Sequence, residues 1–143
     1  MKKFTDLNSI LLVDDDKFTN LVHTKVIERT KLGVSVKAIN NVTDAIAFLT
    51  QEKAATDQPN IIFLDINMPG LTGWDFMALY DQLDERHKAN VIVVMLTTSL
   101  NPDDYQRAKL NGHIVDFLHK PLRPDMLLDV ASRYFHAEDA VGE

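Results

Sequence analysis

The sequence predicts an α/β protein whose parallel sheet is covered by helices on both faces. Two observations support this prediction. Short apolar runs of strand length alternate with longer stretches of helical period along the whole chain, and elements that alternate in this way form parallel sheets with crossover helices. Three of the apolar runs contain no polar residue, which is typical of strands buried on both faces.

Five strands are predicted, and their composition predicts their order. Two runs contain polar residues, Val34–Ile39 and Ile114–Leu118, and are expected at the edges of the sheet. The wholly apolar runs are expected in the centre, and they are Ile10–Val13, Ile61–Leu64 and Val91–Leu96. This arrangement gives the strand order 2-1-3-4-5 of the flavodoxin-like fold.

The first two helices are predicted from apolar spacing and from their end signals. The first places Phe18, Val22 and Val26 one turn apart on a core-facing side, and Gly33 is a plausible terminator. The second begins after Asn41, whose side chain suits an N-cap. Its expected core residues are Ala45, Phe48 and Leu49.

The remaining three helices follow the same reasoning. The fourth has the strongest start signal, Asn101-Pro102-Asp103-Asp104: a cap residue, a proline at the first helical position, and acids at the positive end of the helix dipole. The fifth runs from about Pro124 to Phe135. Expected core residues are Trp74, Phe76 or Met77, Tyr80 and Leu83 in the third helix, and Leu127, Leu128, Ala131 and Tyr134 in the fifth.

Length and composition restrict the class of protein. The 143 residues are expected to form one domain, residues 1–143, with a core of about 8–136 and a short, frayed acidic tail at 137–143. The absence of cysteine excludes disulfides, thiolate catalysis and cysteine-based zinc sites. A net charge of −6 argues against direct nucleic-acid binding. The apolar runs are too short to cross a bilayer and the N-terminus does not resemble a signal peptide, so a cytoplasmic location is expected.

Polar residues follow four of the predicted strands, at the point where each strand ends. Asp14 and Asp15 follow the first strand, Asp65 the third, Thr97 the fourth and Lys120 the fifth. Because the carboxyl ends of parallel strands meet at one edge of the sheet, these side chains are expected to converge there.

The convergence predicts a specific chemistry. Crowded carboxylates raise one another's pKa unless a cation neutralises them, and a set of oxygen ligands suits Mg²⁺, with Mn²⁺ as the alternative. A magnesium ion beside a carboxylate favours phosphoryl transfer, for which Lys120 supplies positive charge and Thr97 a hydroxyl donor. Asp65 is the expected nucleophile, forming an aspartyl phosphate, because it is single and follows a central strand.

Each residue considered alone has a simpler interpretation. The acids at 14–16 form a solvated turn with a helix cap, Asp65 caps the next helix, Thr97 belongs to a turn, and Lys120 lies on the surface. The five histidines are predicted to be non-catalytic. The common position at strand ends is what favours a functional site over these interpretations.

Four motifs at the ends of four strands carry a resemblance to a known family. They are residues 12–16, Leu-Val-Asp-Asp-Asp; 64–73, Leu-Asp-Ile-Asn-Met-Pro-Gly-Leu-Thr-Gly; 94–97, Val-Met-Leu-Thr; and 116–121, Asp-Phe-Leu-His-Lys-Pro. Together they resemble the receiver domain of bacterial two-component response regulators, over residues of about 8 to 136.

The resemblance implies a role for each matching residue. Asp65 corresponds to the phosphoacceptor, and Asp14 and Asp15 to the acidic pair that holds magnesium, Asp15 directly and Asp14 through water. Asn67 corresponds to the position whose backbone carbonyl ligates the metal. Thr97 corresponds to the hydroxyl that turns toward the phosphoryl group, and Phe117 to the aromatic residue whose rotamer changes with that movement. Lys120 corresponds to the lysine that contacts the phosphoryl oxygens, and the Lys120–Pro121 bond is expected to be cis.

The resemblance also implies partners and leaves alternatives open. A histidine kinase or a phosphotransfer protein would donate the phosphoryl group. No output domain is expected after the fifth helix, so the phosphorylated form would bind a downstream protein or a second copy of the chain, without nucleic-acid contact or membrane insertion.

The alternative functions are a phosphorelay intermediate or phosphate sink, a receiver-like binding module, and a hydrolase of the haloacid dehalogenase type. The hydrolase is disfavoured because Asn67 stands where that family needs an acid. Thr98 is bulkier than the Ala or Gly usual after the switch hydroxyl, so it is expected to narrow access to the phosphoryl group.

Overall fold

The computed structural model describes residues 3–138. Its five main strands and the longer helices alternate as the sequence predicts, whereas a 3-10 turn at Ala55–Asp57, a short helix at Glu85–Lys88 and two short strands at Phe4–Thr5 and His136–Ala137 were not predicted. In chain order they are β1 Phe4–Thr5, β2 Ser9–Val13, α1 Lys17–Arg29, β3 Ser35–Ile39, α2 Val42–Thr50, β4 Ile61–Leu64, α3 Gly73–Asp81, α4 Glu85–Lys88, β5 Ile92–Thr97, α5 Pro102–Leu110, β6 Ile114–His119, α6 Pro124–Tyr134 and β7 His136–Ala137.

The main sheet has five parallel strands in the order β3-β2-β4-β5-β6. This confirms the predicted order 2-1-3-4-5, since β2 is the first predicted strand. The central strands β2 and β4 are buried throughout, whereas the edge strands β3 and β6 are partly exposed. Polar residues in a strand therefore identified the edges correctly.

The strands separate two apolar cores, one on each face of the sheet. Ile10 and Leu12 of β2 face a core shared with α1 and α6. Leu11 and Val13 face a second core shared with α2 and α3. Successive side chains point to opposite faces because a strand has a two-residue period. Since helices cover both faces, the apolar run in such a strand is continuous.

Helix start signals are confirmed where the sequence predicted them. Asn41 caps α2 by accepting from the Asp44 N–H, and Asn101 caps α5 by accepting from the Asp103 N–H. A capping box that was not predicted begins α3, in which Thr72 accepts from the Asp75 N–H and the Asp75 side chain accepts from the Thr72 N–H.

The predicted core face of α1 is wrong. Phe18 and Val22 are 71% and 37% exposed. Of the three residues predicted to face the core, only Val26 packs against it. The buried residues of the helix are Asn20, His23 and Ile27. Apolar spacing located the helix, but the rotation of the helix about its axis is fixed by the neighbouring elements.

The core face of α6 needs a smaller correction. Leu127 and Ala131 are buried as predicted, together with Val130, but Leu128 and Tyr134 are exposed at 36% and 39%. The Tyr134 hydroxyl donates to the Val115 carbonyl at the sheet edge (3.0 Å).

A two-stranded antiparallel pair joins the ends of the described chain and was not predicted. Phe4 of β1 lies opposite Ala137 of β7, and Thr5 lies opposite His136. Phe4 is buried in the core together with Leu7. Ala137, expected at the start of a frayed tail, is therefore paired, and the Glu138 N–H donates to the Lys3 carbonyl (2.8 Å). The rest of that tail, 139–143, lies outside the described residues.

Over residues 3–138, the helices are too short or too polar for any of them to cross a membrane.

Candidate functional site

The carboxyl end of the sheet brings the sequence-predicted residues together. Backbone hydrogen bonds continue one residue beyond the strands: the N–H of Asp14 donates to the last carbonyl of β3 (3.2 Å), that of Asp65 to Val13 (3.0 Å), and that of Lys120 to Thr97 (2.9 Å). The side chains that follow the strands are thereby held at the same edge.

Three carboxylates lie close together at this edge. One oxygen from each of Asp14, Asp15 and Asp65 lies within 4.8 Å of the others. Asp14 and Asp65 are buried, and Asp15 is exposed. The group is thus enclosed from below and accessible from solvent on the Asp15 side.

Asp16 has a different role from the two acids before it. Its side chain is the N-cap of α1, accepting from the Phe18 N–H at 2.9 Å and from the Thr19 hydroxyl at 3.0 Å. Hydrogen bonds from these groups lower the pKa of the Asp16 carboxyl. The helix-cap interpretation of the acidic run therefore applies to Asp16.

Lys120 lies between the two buried acids. Its Nζ is 2.5 Å from Asp14 Oδ2 and 3.4 Å from Asp65 Oδ2. Burial lowers the pKa of Lys120, but the hydrogen bond to Asp14 and the negative charges of Asp65 and Asp14 outweigh burial, so the net shift is upward. The side chain is an ammonium ion, and the Lys120–Pro121 bond that follows it is cis.

The buried position of Asp65 disfavours its ionised form despite the nearby lysine. Burial raises the pKa of Asp65, the positive charge of Lys120 lowers it, and the charge of Asp14 raises it again, with a net upward shift. A divalent cation would favour the ionised form. Oxygen donors with one side open to water fit Mg²⁺, which retains several water ligands. Asn67 lies exposed in the turn after Asp65.

Thr97, the last residue of β5, is linked by hydrogen bonds to helices α5 and α3. It is fully buried, and its hydroxyl oxygen accepts from the Ser99 N–H (3.1 Å). The Ser99 hydroxyl donates to Asp104 of α5 (2.6 Å), and the Trp74 indole of α3 donates to the same carboxylate (3.1 Å). A hydrogen-bonded chain therefore leads from the end of β5 to both helices.

Phe117 lies half-buried on the edge strand β6. Its register partner on β5 is Met95, two residues before Thr97 and so on the same face of the sheet. The ring makes edge contacts with Tyr105 and His119, at centroid distances of 5.6 and 5.7 Å. It also lines a groove of about 270 Å³ between α5 and β6.

Sequence reasoning missed three residues around the group. Asn20 and His23 lie buried beneath the acids, and the apolar period of α1 gave no signal for them. Gly73 packs against the backbone of Asp65, and a Cβ at Gly73 would lie 2.4 Å from the Asp65 carbonyl oxygen. A glycine at the start of a helix after a Pro-Gly loop was the available signal for this close approach.

Comparison with known proteins identifies the family. The response regulator receiver domain matches residues 10–132. Protein PilH of Pseudomonas aeruginosa is 32% identical over 119 residues, which cover 83% of this chain and 90% of PilH.

A solved structure, that of a two component response regulator from Cytophaga hutchinsonii, has 32% identity and a TM-score of 0.82, covering 90% of this chain and 96% of the other. The transcriptional regulatory protein CitT of Halalkalibacterium halodurans is 22% identical over 97% of this chain, which spans only 57% of CitT. The chain belongs to the response regulator receiver domain family.

Proposed function

We propose that this protein is a phosphorylation-activated signalling switch in which Asp65 accepts a phosphoryl group from a histidine kinase or a phosphotransfer protein. The observation that carries the proposal is the meeting of three carboxylates within 4.8 Å and one lysine ammonium at the carboxyl edge of the sheet. Carboxylates and a cation in this arrangement suit transfer of a charged phosphoryl group to a carboxylate oxygen. We place the switch in the cytoplasm, where such donors act.

The chain supplies the nucleophile and part of the charge stabilisation. A carboxylate oxygen of Asp65 forms a bond to phosphorus while the bond from phosphorus to the donor nitrogen or oxygen breaks, and the leaving atom keeps the electron pair. Lys120 Nζ, 3.4 Å from Asp65, then contacts a phosphoryl oxygen. Asp15, Asp65 and the Asn67 carbonyl would hold Mg²⁺ (or Mn²⁺), with Asp14 acting through water. The bound cation would neutralise charge on the phosphoryl oxygens.

The response to phosphorylation passes through Thr97 and Phe117. Thr97 releases the Ser99 N–H and donates its hydroxyl to a phosphoryl oxygen, and the space left is filled by the Phe117 ring, which buries no polar group. The output surface is formed by α5, β6 and α6. A downstream protein, or a second copy of the chain, must distinguish the two states there, by about 1–3 kcal/mol in a typical allosteric coupling.

Labelling with a small phosphodonor and Mg²⁺ tests the phosphoacceptor. Wild type should gain one phosphoryl group by intact mass and lose it in alkali, as an acyl phosphate does. Asp65→Asn should gain none. Asp16→Asn is the matched control, because asparagine keeps the N-cap and the change lies outside the carboxylate group. Undiminished labelling of Asp65→Asn, or phosphate mapped to Asp14, would disprove the assignment.

A phosphorelay intermediate is the second candidate, and an exposed apolar surface beside the acids favours it. Phe18 and Leu21, 71% and 56% exposed, lie on the first turns of α1, where a phosphotransfer protein approaching Asp65 would make contact. Binding of partners should be compared with and without a beryllofluoride phosphate mimic. If no partner and no self-association responds, while a phosphotransfer protein removes the group from Asp65, the relay replaces the switch.

A further inference from the structure

Two polar residues on the buried face of α1 lie directly beneath the acids. Asn20 is 6% exposed and His23 is 3% exposed, and they stand three residues apart, on the same side of the helix. Buried polar groups are unfavourable unless they are hydrogen-bonded. Apolar side chains of this helix, Phe18 and Leu21, face solvent instead.

Each of the two side chains forms a hydrogen bond with the backbone at or close to a residue of the site. Asn20 Nδ2 donates to the carbonyl oxygen of Asp14 (2.8 Å). His23 Nε2 accepts from the N–H of Leu122 (3.2 Å), two residues after Lys120. Because Nε2 accepts, the ring is neutral and carries its proton on Nδ1. Burial lowers the pKa of His23, the charge of Lys120 lowers it further and the charge of Asp14 opposes them.

The same two side chains line a small cavity under the site, together with polar and apolar residues of the central strands. Its volume is about 10 Å³, and Asp14 and Asp65 also line it. Asn20 Oδ1 is buried, and no group among residues 3–138 donates to it.

We propose that Asn20 and His23 are positioning residues which fix Asp14 and Lys120 relative to each other from a single helix. The two segments they hold, the turn after β2 and the loop after β6, are distant in sequence, and the His23–Leu122 hydrogen bond itself joins residues 99 positions apart. Both segments must be in place for Lys120 to lie between Asp14 and Asp65. The inference rests on the role proposed above for these residues in phosphoryl transfer.

Substitution of His23 separates positioning from stability. In His23→Leu the Leu122 N–H loses its acceptor, and the loop that carries Lys120 is released. We expect the maximal rate of labelling by a small phosphodonor at saturating Mg²⁺ to fall about tenfold, because a displacement below 1 Å is costly in the transition state, while the half-saturating donor concentration changes little. His23→Gln, whose Oε1 can accept from the same N–H, should restore most of the rate.

A change on the same buried face gives the matched control. Ile27 is 1% exposed and lies one turn beyond His23, away from the acids. Ile27→Ala should lower the stability of the protein to urea at least as much as His23→Leu, yet label at the wild-type rate. Equal rates for His23→Leu and Ile27→Ala, at temperatures where both are folded, would overturn the proposal.

Two nuclear magnetic resonance signals test the positioning without any labelling. The His23 ring should show an unprotonated Nε2, and the Lys120 ammonium resonance should shift in His23→Leu but not in Ile27→Ala. An unshifted Lys120 resonance refutes the inference even if the wild type labels normally. If wild type fails to label but the resonance shifts, the proposed function fails and the positioning stands.

Discussion

Gly73→Ala should displace the loop that carries Asp65. The new Cβ would lie 2.4 Å from the Asp65 carbonyl oxygen and 2.9 Å from Ile66 Cα, where ordinary contact begins at 3.4 Å. The first separation must therefore grow by 3.4 − 2.4, or about 1 Å. Because the obstructing atoms belong to the backbone, no side-chain rotation can relieve the contact.

The size of the effect follows from this displacement. Overpacking of this kind costs about 1–3 kcal/mol, and the hydrogen bond from the Gly73 N–H to the Ile66 carbonyl (2.8 Å) is worth about 1 kcal/mol more if it is lost. We expect the free energy of unfolding to fall by about 2–4 kcal/mol. A shift of about 1 Å at the phosphoacceptor should slow labelling about 100-fold.

Two other glycines provide controls for urea denaturation and phosphodonor labelling. Gly112→Ala meets no described atom within 4 Å and should change stability by less than about 0.5 kcal/mol. Gly70 has a φ of +77°, so Gly70→Ala should cost about 1–2 kcal/mol through backbone strain alone. If Gly73→Ala matches Gly112→Ala in both assays, the close approach is refuted. If it loses stability but labels normally, the displaced segment is not the one that carries Asp65.

The other predictions concern the charge, the metal and the switch. Burial raises the pKa of Asp65 above 3.8, so the folded protein binds a proton on this carboxyl more tightly than the unfolded chain does. The stability that this group contributes is therefore lost as pH rises from 3.8 through the raised pKa of the folded state. Asp65→Asn should therefore be more stable than wild type at neutral pH and should lose that advantage in acid, as measured by the midpoints of urea denaturation. A variant that is less stable than wild type at neutral pH would contradict this. Mg²⁺ at 100 times its dissociation constant should stabilise wild type by about 2.7 kcal/mol in thermal unfolding, and Asp15→Ala should lose most of this gain; equal gains would remove Asp15 from the metal site. Trp74 is the sole tryptophan, so its fluorescence should respond to a beryllofluoride mimic through Asp104 and Ser99. Thr97→Ala should still accept phosphate with a much smaller emission change, and a full change would rule out that route.

The sequence by itself determined the sheet, its strand order and the edge at which the polar residues meet. These features depend on local patterns. Wholly apolar runs identify central strands, polar residues identify the edge strands β3 and β6, and a residue such as Asp65 that directly follows a strand must lie at its carboxyl end. The caps Asn41 and Asn101 were equally predictable because a cap bonds its own neighbours.

Only the tertiary structure decided which side of α1 faces the acids and which acid Lys120 approaches most closely. The apolar period placed Phe18 in the core, whereas the helix buries His23, because its rotation is set by contacts with segments as distant as Leu122. The pairing of Phe4 with Ala137 joins residues from opposite ends of the described chain, and Lys120 lies nearer to Asp14 than to Asp65. Packing between segments far apart in sequence fixes each of these features, so local patterns carry no signal for them.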